Sequence, residues 1–136
     1  MRFLHALTIC CAAVLLLAVC AEASTSLTVK DRRHILRTVT FPAPNDPAVR
    51  IHDPSCVMGY LSQVDPRYAA MYLSNTRSCV RRFGGASGEG LLVKRPSRRS
   101  ARWRQVGHVA DNCIHGTGGA PDRVLRDLHC TVYPKP

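Results

Sequence analysis

Four cysteines in the body of this chain restrict its fold more than any other feature. They are Cys56, Cys79, Cys113 and Cys130, separated by 22, 33 and 16 intervening residues. An even number of cysteines in a small secreted chain is typical of a disulfide framework, so we expect two bridges, with three pairings open. None of the gaps is as short as the cysteine spacing of a zinc site. We therefore expect no metal and no cofactor.

Residues 1–23 have the pattern of a secretory signal peptide. An apolar run from Ala6 to Cys20 follows a short basic start, and Ala21-Glu22-Ala23 fits the small-x-small cleavage pattern. The run of about 15 residues is shorter than the ~20 that cross a bilayer, and no second run follows it. Cleavage would also remove the other three cysteines of the chain. We expect a secreted, extracellular protein without a transmembrane segment, and uptake by a target cell is left open.

Residues 24–55 differ from the rest of the chain because they contain four prolines and no cysteine. Ile35, Val39 and Phe41 would share one face of a strand, which predicts β-structure over 35–41. The prolines that follow disfavour a central strand. We interpret this segment as a Pro-containing N-terminal arm or edge strand, with a propeptide as the alternative.

Residues 56–136 are expected to form the core, a small single disulfide-stabilised domain of the α+β class. Asp65-Pro66 is a good helix start and predicts a helix over 65–75. Pro121-Asp122 predicts a second short helix. A few short strands would complete the domain, with candidates at Leu91–Val93, Trp103–Val109 and Cys130–Tyr133.

The positive charge of the chain is concentrated in one segment. Between positions 77 and 104 there are nine basic residues and one acidic residue, which give +8 of the net charge of +10. The predicted binding residues are Arg77, Arg81, Arg82, Lys94, Arg95, Arg98, Arg99, Arg102 and Arg104, together with Trp103. Such a segment attracts phosphate, sulfate, acidic lipids or an acidic protein face, and arginine suits bidentate contacts to these groups. Trp103 would either stack on a base or belong to the core.

Three histidines offer an enzymatic alternative. His108, His115 and His129 could supply the general base and general acid of a secreted ribonuclease, with arginine nearby for the phosphate. This hypothesis rests on residue types, because no catalytic motif is present. Gly85–Glu89, for example, lacks the second glycine of a serine hydrolase elbow.

The tetrapeptide His34–Arg37 resembles the Arg-x-Leu-Arg translocation motif of secreted oomycete effectors. A histidine stands where that motif has its first arginine, and the Glu-Glu-Arg block that usually follows is absent. No function is carried over from that family.

The properties of the chain together favour a non-enzymatic, secreted interaction protein of the effector, ligand, inhibitor or toxin type. Its partner would be an acidic protein or a polyanion, and nucleic acid is one of the candidates. The alternatives are a ribonuclease-like hydrolase and an antimicrobial or membrane-active basic protein. The oligomeric state is left open.

Overall fold

An antiparallel sheet with short helices packed against it gives the chain the α+β class that the sequence predicted. The computed structural model describes residues 24–84, 90–109, 112–113, 119–128 and 131–132. The elements, in chain order, are β1 (Thr25–Ser26), α1 (Val29–Thr38), β2 (Pro42–Ala43), β3 (Asp46–Arg50), β4 (Val57–Leu61), β5 (Tyr68–Leu73), α2 (Arg77–Phe83), β6 (Gly90–Lys94), β7 (Arg104–Val109), β8 (Asn112–Cys113), α3 (Asp122–Asp127) and β9 (Thr131–Val132). Five strands form one antiparallel sheet in the order β1-β4-β5-β6-β7. Strands β2 and β3 form a separate hairpin, and β8 pairs with β9 in parallel.

Strand β5 lies in the middle of the sheet, and both of its faces are buried. Ala69 and Met71 face one hydrophobic cluster, whereas Tyr68 and Ala70 face a second cluster on the other side. The helix predicted over 65–75 is therefore wrong. A strand that is covered on both faces is apolar at every position, so it lacks the polar-apolar alternation by which strands are recognised.

One face of the sheet packs against α1, α2 and the β2–β3 hairpin. Helix α1 begins with a capping box, in which the Thr28 side chain accepts from the N–H of Asp31 and the Asp31 side chain accepts from the N–H of Thr28. Its buried residues are Ile35 and Leu36. The strand predicted over 35–41 is therefore wrong, because its first half is helical.

Residues 24–55 contribute to the core. The segment begins with the edge strand β1 and then supplies seven residues of the first cluster: Leu27, Ile35, Leu36, Val39, Phe41, Ala43 and Ile51. Buried side chains of the domain therefore begin at Leu27 and not at Cys56, where the sequence analysis placed the start of the core. The tetrapeptide His34–Arg37 lies within α1, with its two central residues buried.

Helix α3 covers the opposite face of the sheet, at the position predicted from the sequence. Val124 and Leu125 are fully buried in the second cluster. At the end of the helix, the Asp127 carboxylate accepts hydrogen bonds from the Ser62 hydroxyl at 2.6 Å and from the Gln63 N–H at 2.8 Å. Helix α3 is thereby tied to the turn between β4 and β5.

A disulfide joins Cys56, just before β4, to Cys79 in α2. Both cysteines are buried, so the bridge lies inside the first cluster. Cys113 lies on β8, and Cys130 lies outside the described residues.

The three strand candidates are found as β6, β7 and β9, and the structure describes three helices where two were expected. Among the described residues, none of the helices has the length and apolar character to cross a membrane.

Candidate anion-binding site

The structure divides the basic segment into two groups at opposite ends of β6. Tyr68 of β5 pairs with Lys94, the last residue of β6, and Tyr72 pairs with Gly90, the first. Helix α2 leaves β5 at the Gly90 end, and the connection to β7 begins at the Lys94 end. Because a strand of five residues spans about 13 Å, the two groups are separate surfaces. The helix group consists of Arg77, Arg81 and Arg82; the turn group consists of Lys94, Arg95, Arg98, Arg99, Arg102 and Arg104.

Residues 94–104, which we name the basic turn, carry six cations and no acidic residue. In the part of the chain that the structure describes, the ion pairs within 4.0 Å are Arg67–Asp65 and Arg82–Asp53, so none of the six cations has a carboxylate partner there. Charges of one sign at this density repel one another. An anion that neutralises them is therefore attracted to the turn.

Arg95 is held in place at the base of the turn. Its guanidinium lies 4.7 Å from the centre of the Trp103 ring, and its Nε–H donates to the carbonyl of Pro66 at 3.1 Å. Its backbone N–H donates to the carbonyl of Arg67 at 2.8 Å. Burial lowers the pKa of Arg95, while the charge of Asp31 acts in the opposite direction. Arginine stays protonated at neutral pH in any protein environment, so this site holds a fixed positive charge.

The two aromatic rings at the turn are already covered. Trp103 is only 4% exposed and belongs to the first cluster, with Arg95 over its ring. Lys94 lies 4.8 Å from the centre of the Tyr68 ring, which is 2% exposed. Of the two roles considered for Trp103, the structure therefore assigns it to the core. The ring packs under the cation and does not project into solvent.

A cleft of about 330 Å³ opens on this surface. It is lined by Lys94, Arg95, Pro96, Arg102, Trp103 and Arg104. A cleft of this volume is in the range of sites that take a small molecule or one or two units of a polymer. Four of its six lining residues are cations, so it suits an anionic group.

The tip of the basic turn is a tight turn. The N–H of Ser100 donates to the carbonyl of Ser97 at 3.1 Å, which places Arg98 and Arg99 at the two central positions. The N–H of Arg102 donates to the Ser100 hydroxyl at 3.1 Å. These bonds order the tip, and both central arginines are exposed.

The helix group differs because part of its charge is neutralised. Arg82 pairs with Asp53 at 3.0 Å and also lies over the Phe83 ring. Hydrogen bonds from Ser55, together with Arg82, lower the pKa of the Asp53 carboxyl and keep it ionised. Arg77 and Arg81 remain exposed cations.

Of the three candidate catalytic histidines, His108 is the one that can be described; His115 and His129 lie outside the described residues. His108 is exposed on β7, opposite Leu91, and its Nε2 lies 3.2 Å from Nε2 of Gln105. It borders an apolar cleft of about 210 Å³ at the far end of β7 from Arg104, and no other histidine and no cation is among the described residues that line it. Those lining residues are Phe41, Pro42, Ala43, Pro44, Pro47, Leu73, Gly90, Leu91 and His108.

Among the described residues, no group of three His, Cys, Asp or Glu side chains is placed so that it could hold a metal ion.

Two contributions to the site were missed in the sequence analysis: the Pro66 carbonyl and the Tyr68 ring. Both come from the segment that was predicted as a helix. They reach the basic turn only because β5 pairs with β6, with Tyr68 opposite Lys94. No local pattern could have indicated this, since register depends on the whole sheet.

Comparison of the chain with known protein families, with curated proteins and with solved structures finds no match.

Proposed function

We propose that this is a secreted interaction protein that binds an anionic partner through the basic turn. The observation that carries the proposal is the set of six cations on residues 94–104, which have no carboxylate partner within 4.0 Å among the described residues; four of them line a cleft. One of them, Arg95, is already held by Trp103 and Pro66. A cation that is ordered before binding loses less conformational entropy when the ligand arrives, so the fixed position of Arg95 favours binding.

The surface argues against a membrane-active protein. Proteins that insert into the interface place apolar side chains beside their basic residues. The exposed large apolar residues of the described chain are Val29, Val49 and Met58, and all three lie outside the basic turn. Trp103, the aromatic residue of the turn, is buried.

The position of His108 argues against its acting together with Arg104 on one phosphate. A ribonuclease of the type considered needs a base, an acid and a phosphate-binding cation within reach of one phosphate. His108 is opposite Leu91, whereas Arg104 is opposite Lys94, three residues further along β6. The two ends of that stretch are about 10 Å apart.

The test compares two double variants that each remove two exposed arginines. R98A/R99A changes the tip of the basic turn, and R77A/R81A changes the helix group. Binding of fluorescent heparin and of labelled single-stranded RNA to residues 24–136 is measured at low and at physiological salt. We expect binding that weakens steeply with salt, a loss of at least about tenfold in R98A/R99A, and a loss of about twofold or less in R77A/R81A.

Two results would overturn the proposal. Equal losses in both double variants would mean that net charge, and not the basic turn, determines binding. RNA cleavage that disappears in His108→Ala would make the protein an enzyme. Secretion is tested separately by the N-terminal sequence of the protein recovered from culture medium, which we expect to begin at Ser24.

A further inference from the structure

The aromatic residues beside the cations have a common arrangement. Trp103, Tyr68 and Phe83 are each at most 6% exposed, and each has a cation over its ring. The partners are Arg95, Lys94 and Arg82, at 4.7, 4.8 and 4.8 Å from the ring centres. The arrangement therefore holds at both basic groups and is not a peculiarity of one side chain.

Proteins that bind single-stranded nucleic acid through basic grooves also use aromatic side chains as stacking platforms for the bases. Trp103 is the single aromatic residue within the basic turn, and its ring already stacks against Arg95. A base could reach that ring only by displacing the guanidinium, which is further held by the Pro66 carbonyl. The turn thus presents charge and hydrogen-bond donors, without an open aromatic face.

The concave shape of the cleft further restricts the class of partner that can bind. The cationic side chains line a concave cleft of about 330 Å³. A nucleic acid duplex is a broad convex surface, and its phosphates could not enter such a cleft together with the groups that carry them. One or two sugar units with their sulfate groups could enter it, and arginine pairs with sulfate in the same bidentate manner as with phosphate.

From these observations we infer that the partner of the basic turn is a sulfated polysaccharide, which the protein recognises by the spacing of its charges and not by stacking. This inference rests on the proposed function, because it names the class of anion that the basic turn binds. The chain would pass through the cleft between Arg95 and the pair Arg102 and Arg104, and Arg98 and Arg99 would contact sulfates further along it.

Because Trp103 is the single tryptophan of the chain, its fluorescence reports on stacking at the basic turn during each titration. The oxidised protein, residues 24–136, is titrated with a heparin octasaccharide, with oligo(A) and oligo(U) of equal charge, and with vesicles containing anionic lipid. Binding is followed by anisotropy of the labelled oligomers and by vesicle co-sedimentation, and Trp103 fluorescence is recorded in parallel. We expect heparin to bind at least about tenfold more tightly than either RNA, oligo(A) and oligo(U) to bind equally, and no stacking-type quenching of Trp103.

The variants separate failure of the inference from failure of the proposed function. If no probe binds, or if heparin binding is unchanged both in R98A/R99A and in R102A/R104A, which removes two arginines of the cleft, the basic turn is not an anion site, and both the inference and the proposed function fall. If RNA binds as tightly as heparin, or oligo(A) binds more tightly than oligo(U) with quenching of Trp103, the sulfated partner is wrong although the anion site stands. Vesicle binding that matches heparin binding would likewise replace the polysaccharide with a lipid surface. Control titrations with R77A/R81A should reproduce the unchanged protein within about twofold.

Discussion

The Arg95 guanidinium lies 4.7 Å from the centre of the Trp103 ring. These two residues are the first and the last of the connection between β6 and β7, so their contact closes the base of the basic turn. The buried Trp103 ring thereby holds the Arg95 cation at the surface and fixes the ends of the backbone segment that carries the exposed arginines. The stability of the domain and the geometry of its candidate site therefore depend on the same pair.

Replacing Arg95 with lysine should lower the free energy of unfolding by about 1–2 kcal/mol. Lysine keeps the charge but loses the planar stack on Trp103 and the Nε–H bond to Pro66. Urea unfolding followed by Trp103 fluorescence measures the change. Arg98→Lys is the matched control, because its side chain is at the exposed tip, and it should change stability by no more than about 0.5 kcal/mol. Equal effects of the two variants would contradict a structural role for the stack.

Removing the bridge between Cys56 and Cys79 should cost about 3 kcal/mol. The two residues are 23 positions apart, and closing a loop of that length restricts the unfolded chain by roughly this amount. The C56A/C79A variant is compared with the unchanged oxidised protein by urea unfolding at neutral pH. A loss of less than about 1 kcal/mol would mean that the bridge adds little to the packing of α2 against the sheet.

We predict that the other two cysteines, Cys113 and Cys130, form the second bridge. With Cys56 paired to Cys79, this is the pairing that the expectation of two disulfides leaves. The described backbone brings β8, which holds Cys113, beside β9, which begins at Thr131, with Cys113 opposite Val132. Peptide mapping of the oxidised protein without reduction should recover both linked pairs. Free thiols at positions 113 and 130 would refute the prediction.

Asp127→Ala should destabilise the domain by about 3 kcal/mol. The change leaves the fully buried Ser62 hydroxyl and the Gln63 N–H without their acceptor at the end of α3. Asp127→Asn should cost less, because both bonds go to Oδ2, and an amide oxygen in its place can still accept them. Asp46→Asn, which changes an exposed carboxylate that accepts from the N–H of Ala48, serves as the control and should be nearly neutral. If Asp127→Ala destabilises the domain no more than Asp46→Asn does, the Asp127 bonds do not stabilise the fold.

Acid should remove the contribution that the ion pair between Asp65 and Arg67 makes to the free energy of unfolding. The Arg67 guanidinium donates to both oxygens of this carboxylate, at 2.9 and 2.7 Å, and lowers its pKa below the ordinary 3.8. A carboxyl whose pKa is lowered by folding stabilises the protein fully above the unfolded pKa, and this contribution is lost as the pH falls through the folded value. The difference in unfolding free energy between the unchanged protein and Asp65→Asn should therefore be largest near neutral pH and shrink below about pH 4. Urea titrations across this range measure it, and a difference that stays constant with pH would contradict the assignment.

Local chemistry was sufficient for part of the fold. Pro121-Asp122 marks the start of α3: proline is the N-cap, and aspartate lies in the first turn, where its charge interacts favourably with the helix dipole. Strand β6 contains the apolar run Leu91–Val93 that was named as a candidate, and the candidate at Trp103–Val109 includes β7. These signals lie within a few residues of the element they specify, so they can be read without knowing what packs against it.

Strand β5 was predicted as a helix, and the end of helix α1 was predicted as a strand, for different reasons. The run Tyr68–Leu73 is apolar throughout because both faces of β5 are buried, so its pattern does not distinguish a strand from a buried helix. At the end of α1, the alternating apolar residues Ile35, Val39 and Phe41, of which only Ile35 lies in the helix, were interpreted as a strand, although the capping box of Thr28 and Asp31 was present in the sequence. The neighbours in space therefore decided the secondary structure of β5, whereas a local signal for α1 was overlooked.

Charge, cysteine number and fold class follow from composition and from short-range patterns, so they could be derived from the sequence alone. The tertiary structure decided that Cys56 pairs with Cys79 and that the basic segment is divided between α2 and the basic turn. It also decided that Trp103 lies under Arg95 and is not open to solvent. These properties depend on sheet register and on packing between residues far apart in the chain, which no local window of sequence contains.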